Sequence, residues 1–157
     1  YIKCEGTYMK LELEIKQKSF KNEYVKLAVN ILYTGNWMHF SLNKALKPFG
    51  LTVQQYNVLR ILRGQYPKPC TVNLIVDRML DKSSNASRIV ERLVAKGLAE
   101  RKQCEKDRRA VDVVITQNGL DLLEQSDVKI EDVQHTYEVL TDDEARTLNE
   151  LLDKLRD

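Results

Sequence analysis

A mainly α-helical chain carrying one small β-hairpin is the fold class this sequence predicts, on three observations. Apolar residues recur at three-and-four spacing over most of the 157 residues. One stretch, Val111-Asp-Val-Val-Ile-Thr116, alternates instead, placing Val111, Val113 and Ile115 on one side as in a half-buried strand. Between Ser83 and Gly119 a short helix, a glycine stop and a charged hairpin follow one another directly.

The elements divide into four segments. Residues 1–18 are a lead-in, of which 1–8 precede Met9, show no helical stripe and read as vector-derived or upstream-translated sequence. Leu11, Leu13 and Ile15 alternate like a strand, while Glu12, Glu14, Lys16 and Lys18 equally suit a helical start. Residues 19–50 form one long helix, striped by Phe20, Tyr24, Leu27, Ala28, Ile31, Leu32, Gly35, Met38, Leu42, Ala45, Leu46 and Phe49, and broken by Pro48 and Gly50. Residues 51–116 hold the helix-turn-helix and the hairpin. There Thr52-Val-Gln-Gln55 is a capping box, Gly64 and Pro67 end the helix it opens, Thr71 caps a third helix to about Leu80, and Asp81-Lys-Ser-Ser84 makes the turn. Residues 117–157 contain a helix marked by Leu120, Leu123, Ile130, Val133, Tyr137 and Leu140, then a second capping box, Thr141-Asp-Asp-Glu144, and a last helix striped by Leu148, Leu151, Leu152 and Leu155.

The helix expected from Ser84 to about Lys96 has two unlike faces. Ala86, Ile89, Val90, Leu93 and Val94 form an apolar stripe, and Ser84, Asn85, Ser87, Arg88, Glu91 and Arg92 occupy the remainder. Gly97 supplies the left-handed residue that ends such a helix. The hairpin tip, Glu105-Lys-Asp-Arg-Arg-Ala110, is strongly charged. A short-sided, cationic helix followed by a hairpin bearing Lys106, Arg108 and Arg109 has the form that enters a major groove and the adjoining minor groove of duplex DNA. A solvated helix beside a solvated turn accounts for the spacing about as well.

The same residues resemble the MarR-type winged helix-turn-helix transcription regulators. The wing signature of that family stands here as Asp107-Arg108-Arg109, the apolar strand, and Thr116-Gln-Asn-Gly119; the recognition-helix signature stands as Ser87-Arg88-Ile-Val-Glu91-Arg92-Leu93 and Lys96-Gly97-Leu98. The resemblance extends from Phe20 to the end of the chain. It implies a sequence-specific regulator, a repressor released by a small-molecule effector, whose DNA contacts would be Ser83, Ser84, Asn85, Ser87, Arg88, Arg92, Lys106, Asp107, Arg108 and Arg109. Arg109 would enter the minor groove, held there by Asp107. An effector cleft lined by Tyr33, Trp37, Phe40 and Tyr56 is implied too, for a small aromatic or amphipathic ligand; an aromatic stripe at helical spacing is equally the mark of plain core.

Charge and apolar surface add to this. The net charge is only +2, yet residues 1–70 carry 11 basic and 4 acidic side chains, 71–116 carry 10 and 7, and 117–157 carry 4 and 12. The acidic last third is expected to face away from phosphate. The terminal helices have more apolar surface than the small core between them can cover. Two chains are therefore expected to pair as a homodimer through Leu27, Ile31, Ile130, Tyr137, Leu148, Leu152 and Leu155, on a pseudo-palindromic double-stranded operator. No cofactor, metal or catalytic residue is expected. His39 and His135 stand far apart, and Cys4, Cys70 and Cys104 form no C-x-x-C pair. The reactive cysteine that peroxide-sensing relatives carry in their first long helix has no counterpart between Phe20 and Phe49, leaving Cys104 or Cys70 as thin redox candidates. With no apolar run long enough to span a bilayer, the expected place of action is the cytoplasm. The alternative is a winged protein-interaction module without sequence-specific DNA binding.

Overall fold

The computed structural model describes residues 9–103 and 111–156. The chain divides into two compact units, residues 1–40 and 41–157.

In the first unit the lead-in resolves as a helix, α1 (Leu11–Glu14), so the strand reading of Leu11, Leu13 and Ile15 is set aside. A strand there would have needed a neighbour for its backbone groups. Two polar clasps join α1 to the long helix α2 (Glu23–Leu46): Lys26 Nζ lies 2.6 Å from Glu12, and the Tyr33 hydroxyl donates to Glu14 at 2.9 Å. Asn22, rather than Phe20, opens α2, its side chain accepting from the Val25 amide at 2.9 Å. The expected apolar stripe is present but not covered: within α2 only Leu46 is buried.

The second unit holds the core. A 3-10 turn at Lys47–Phe49 and Gly50, at φ 63°, end the long helix as Pro48 and Gly50 predict. The helix α3 (Val53–Arg63) starts on a complete capping box, the Thr52 hydroxyl accepting from the Gln55 amide while the Gln55 side chain accepts from the Thr52 amide. α4 (Val72–Arg78) is capped by Thr71, and α5 (Ala86–Ala95) follows the turn. Packed between them are Val58, Leu59, Leu62, Ile75, Val90 and Leu93, all essentially without exposure.

Three antiparallel strands close this core: β1 (Cys70–Thr71), β2 (Ala99–Gln103) and β3 (Val111–Ile115), in the order β1-β3-β2. β1 was not expected. It is two residues long, pairing Cys70 with Val113 and Thr71 with Asp112, and has no room for an alternating pattern. Cys70 is a buried free thiol, and burial pushes its pKa upward, which suits an inert core residue.

After β3, α6 (Gln117–Gln134) runs to a 3-10 turn at His135–Tyr137, so Tyr137 and Leu140 lie beyond the α-helix expected to include them. α7 (Asp142–Arg156) begins on the second capping box and buries no side chain. α3 and α6 are joined by Asp127, which accepts from the Tyr56 hydroxyl at 2.6 Å and from Arg63 at 2.5 Å. Burial first, then this hydrogen bond, pushes the Tyr56 phenol well above its ordinary range. Asp127→Ala would leave that phenol buried without its acceptor. The variant is expected to lose about 1–3 kcal/mol in urea unfolding, and Tyr56→Phe in the same background to recover part of the loss.

Candidate nucleic-acid interface

The two faces of α5 fall where its residues predict. Ala86, Ile89, Val90 and Leu93 are buried, and Asn85, Ser87, Arg88, Glu91 and Arg92 are exposed. The start of the helix differs from the expectation: Asn85 is the N-cap, its side chain accepting from the Arg88 amide at 3.0 Å, so Ser83 and Ser84 belong to the preceding turn and not to the helix face. Ser84, Asn85, Arg88 and Arg92 line a groove of about 320 Å³ whose other wall is Thr52 and Gln54 at the start of α3. Among the described residues neither Arg88 nor Arg92 pairs with a carboxylate, whereas Glu91 lies 3.4 Å from Arg101 of β2. The groove thus presents two guanidinium groups, without an acidic partner among the described residues, beside short polar side chains, a combination suited to phosphates and base edges.

Asp81 organises the turn, a role its residue type alone suggested only as a turn former. One carboxylate oxygen accepts from the Ser83 amide at 3.0 Å and the Ser83 hydroxyl at 2.6 Å; the other accepts from the Ser84 hydroxyl at 2.6 Å. The two hydroxyl bonds, Ser83's the larger, hold the Asp81 pKa down at about 2. The usable signal was the spacing, since an aspartate followed at two and three residues by hydroxyl residues marks a side-chain-to-backbone turn.

The other end of α5 is tied down as well. Gly97 takes φ 69°, and Lys96 Nζ donates to the Gly50 carbonyl at 2.5 Å. Thr116 then joins this stop to α6 through three bonds: its hydroxyl donates to the Gly97 carbonyl at 2.7 Å and accepts from the Gly119 amide at 3.1 Å, and its own amide donates to Leu98 at 3.1 Å. From this joint β2 and β3 leave in register, Ala99 opposite Ile115 through Gln103 opposite Val111. The expected contacts at the tip, Lys106, Asp107, Arg108 and Arg109, lie outside the described residues, as does Cys104.

Of the residues expected around an effector, Tyr33 is held by Glu14, Trp37 is about half exposed and Phe40 is 70% exposed. Tyr56 is different. It is 7% exposed and part of the core, and the cleft beside it, about 180 Å³, is lined by Arg60, Arg63, Asp127, Glu131 and Gln134, making it polar rather than aromatic. Of the residues expected at a dimer interface, Leu27, Leu148 and Leu155 are exposed, and Ile31, Tyr137 and Leu152 are half-buried. Ile130 needs correction: at 4% exposure it is closed into the core of its own chain, because α6 turns that face toward α3. No cluster of histidine, cysteine and carboxylate able to hold a metal occurs among the described residues, and His135 is engaged with Glu138 at 2.7 Å. No described helix is long and apolar enough to cross a membrane.

A helix-turn-helix followed by a two-stranded wing, whose sheet is completed by β1 from just before α4, with an exposed cationic face on the second helix, defines a winged helix-turn-helix DNA-binding protein. The comparisons agree. A MarR family model matches residues 49–110. The multiple antibiotic resistance protein MarR of Escherichia coli is 33% identical over 117 residues, covering 73% of this chain and 79% of that protein, and its Salmonella typhimurium counterpart is 31% identical over 137 residues, covering 85% and 93%. The crystal structure of a cysteine-to-serine variant of Escherichia coli MarR in complex with operator DNA superposes with a TM-score of 0.74 at 29% identity, over 88% of this chain and 99% of that one. The chain belongs to the MarR family and is a DNA-binding transcription regulator.

Proposed function

We propose that two copies of this chain pair through their terminal helices and repress transcription from a pseudo-palindromic operator, until a small aromatic or amphipathic effector releases them. The observation that carries this reading is the groove of α5, where Arg88 and Arg92 stand exposed without a described acidic partner. The operator complex formed by the MarR variant supports it. Residues 51–116 are the DNA-reading part, and residues 19–50 and 117–157 supply the dimer contacts. No catalytic step and no cofactor enters this reading, and the place of action is the cytoplasm. Exposed Trp37 and Phe40 on α2 are the effector contacts retained.

Titration with operator and with random duplex at two salt concentrations tests the reading. Binding should weaken steeply with salt on both, because phosphate contacts release counterions. A protein that shows no salt-dependent binding to any duplex would be an interaction module instead.

Arg88 and the wing separate in the same assay. Arg88→Ala is expected to cost about 1–3 kcal/mol of base discrimination at one position of each half-site, while Lys106→Ala weakens all sequences alike and lowers the salt slope by about one per arm. Equal loss on specific and random duplex for Arg88→Ala would make Arg88 a phosphate contact. Arg109→Ala is expected to reduce operator affinity by about tenfold or more with the fold intact, and Asp107→Ala by less, on the family-implied reading that the aspartate acts only by orienting the arginine. Operator binding by Arg109→Ala at the level of the unaltered protein would remove the wing from the interface.

A further inference from the structure

Ser84 sits on the wall of the α5 groove, beside Arg88, Arg92 and Gln54. Its hydroxyl has one hydrogen, and that hydrogen is directed to Asp81 at 2.6 Å. What remains toward the groove is the oxygen's acceptor capacity. Phosphate oxygens only accept, so a serine in this state offers them nothing, and the adjacent Asp81 carboxylate repels them. In the major groove the complementary groups are the exocyclic amino groups, N6 of adenine and N4 of cytosine; the carbonyl oxygens of guanine and thymine are not.

We propose that Ser84 reads the operator as an acceptor, facing the amino group of an adenine or a cytosine, and that Asp81 is the positioning residue that imposes this. The proposal rests on the reading of α5 as the major-groove element. The other Asp81 oxygen fixes the orientation of the carboxylate, since it accepts from the Ser83 amide, a donor that cannot reverse. That asymmetry makes Asp81→Asn informative. The asparagine oxygen stays toward the Ser83 amide and the new NH2 group points at Ser84 and donates to it, while the Gln54 amide, which also hydrogen-bonds Asp81, can flip to follow the change. The Ser84 hydrogen is then free to turn outward while one lone pair stays open, so the side chain gains the donor it lacked and can serve either way. Its base preference should relax, admitting carbonyl-bearing as well as amino-bearing bases.

The test uses full-length protein and operator duplexes in which each adenine or cytosine of a half-site is replaced, one at a time, by an analogue lacking the exocyclic amino group. The unaltered protein should lose about fivefold at one position per half-site, the size of one ordinary hydrogen bond. Ser84→Ala should start about that much weaker and show no further loss there. Asp81→Asn, checked for folding by its melting curve, should accept guanine or thymine at the same position as readily as adenine or cytosine when sites are selected from a randomised pool. Two results would overturn the proposal: no position that responds to amino-group removal, or a Ser84→Ala variant weakened equally on all sequences, the behaviour of a phosphate contact. The Ser84→Ala arm decides even if Asp81→Asn fails to fold. Absence of salt-dependent binding by the unaltered protein to any duplex would instead sink the DNA-interface reading itself, before an analogue is tried.

Discussion

Leu148→Glu is expected to turn the dimer into monomers and to lower operator affinity by about 100-fold or more, while changing affinity for random duplex far less. α7 buries no side chain within its own chain, and Leu148, Leu151 and Leu155 form an exposed apolar ridge along it, Leu148 at 46% exposure. On the proposed pairing a partner copy covers that ridge. A carboxylate placed there must be desolvated without a partner charge, which costs several kcal/mol or prevents association. Operator recognition requires both half-sites at once, so the monomer retains only the affinity of one arm. Glu150→Lys, on the opposite side of the same helix, is the control and should leave assembly unchanged. Light scattering paired with operator titration decides the matter: a Leu148→Glu monomer that keeps full affinity would separate dimerisation from recognition.

Gly119→Ala is the second large effect. A methyl group at Gly119 would lie 2.2 Å from the Leu98 carbonyl oxygen and 2.7 Å from Ile115 Cγ1. The first of these is backbone in the crossover from α5 to β2 and cannot swing aside as a flexible side chain could. Relief would require α6 to move away from the sheet. The cost should be about 3 kcal/mol, at the upper end of overpacking, or a fall of roughly 10 °C in Tm. Thermal unfolding of Gly119→Ala checks this, and a melting temperature within about 2 °C of the original would show that the joint yields.

Much of this was visible in the residues before any coordinates, and the parts that were not share a physical cause. The capping boxes at Thr52 and Thr141, the stop at Gly97 and the buried face of α5 are local: each is decided within one or two turns by spacing and by backbone conformation. β1 escaped because two residues become a strand only through Val113 and Asp112, some forty residues away. The beginning of α5 was placed too early because Ser84 and Asn85 are both good caps, and only the capture of Ser84 by Asp81 leaves the role to Asn85. Ile130 and Tyr56 show a different ambiguity. An apolar stripe says that a face is covered, but not whether its own chain or another molecule covers it.

The Thr116 joint has a bearing on how an effector signal would travel. Because one threonine stitches the end of α5 to the start of α6, and Gly119 seats α6 directly against the Leu98 carbonyl, these parts are expected to move together. A torque applied anywhere along α6 must therefore swing the DNA-reading helix as a lever does, with the joint as its fixed elbow. Induction would then appear as a changed distance between two intact reading heads, and operators with a slightly altered spacer would be those the effector-bound form still grips.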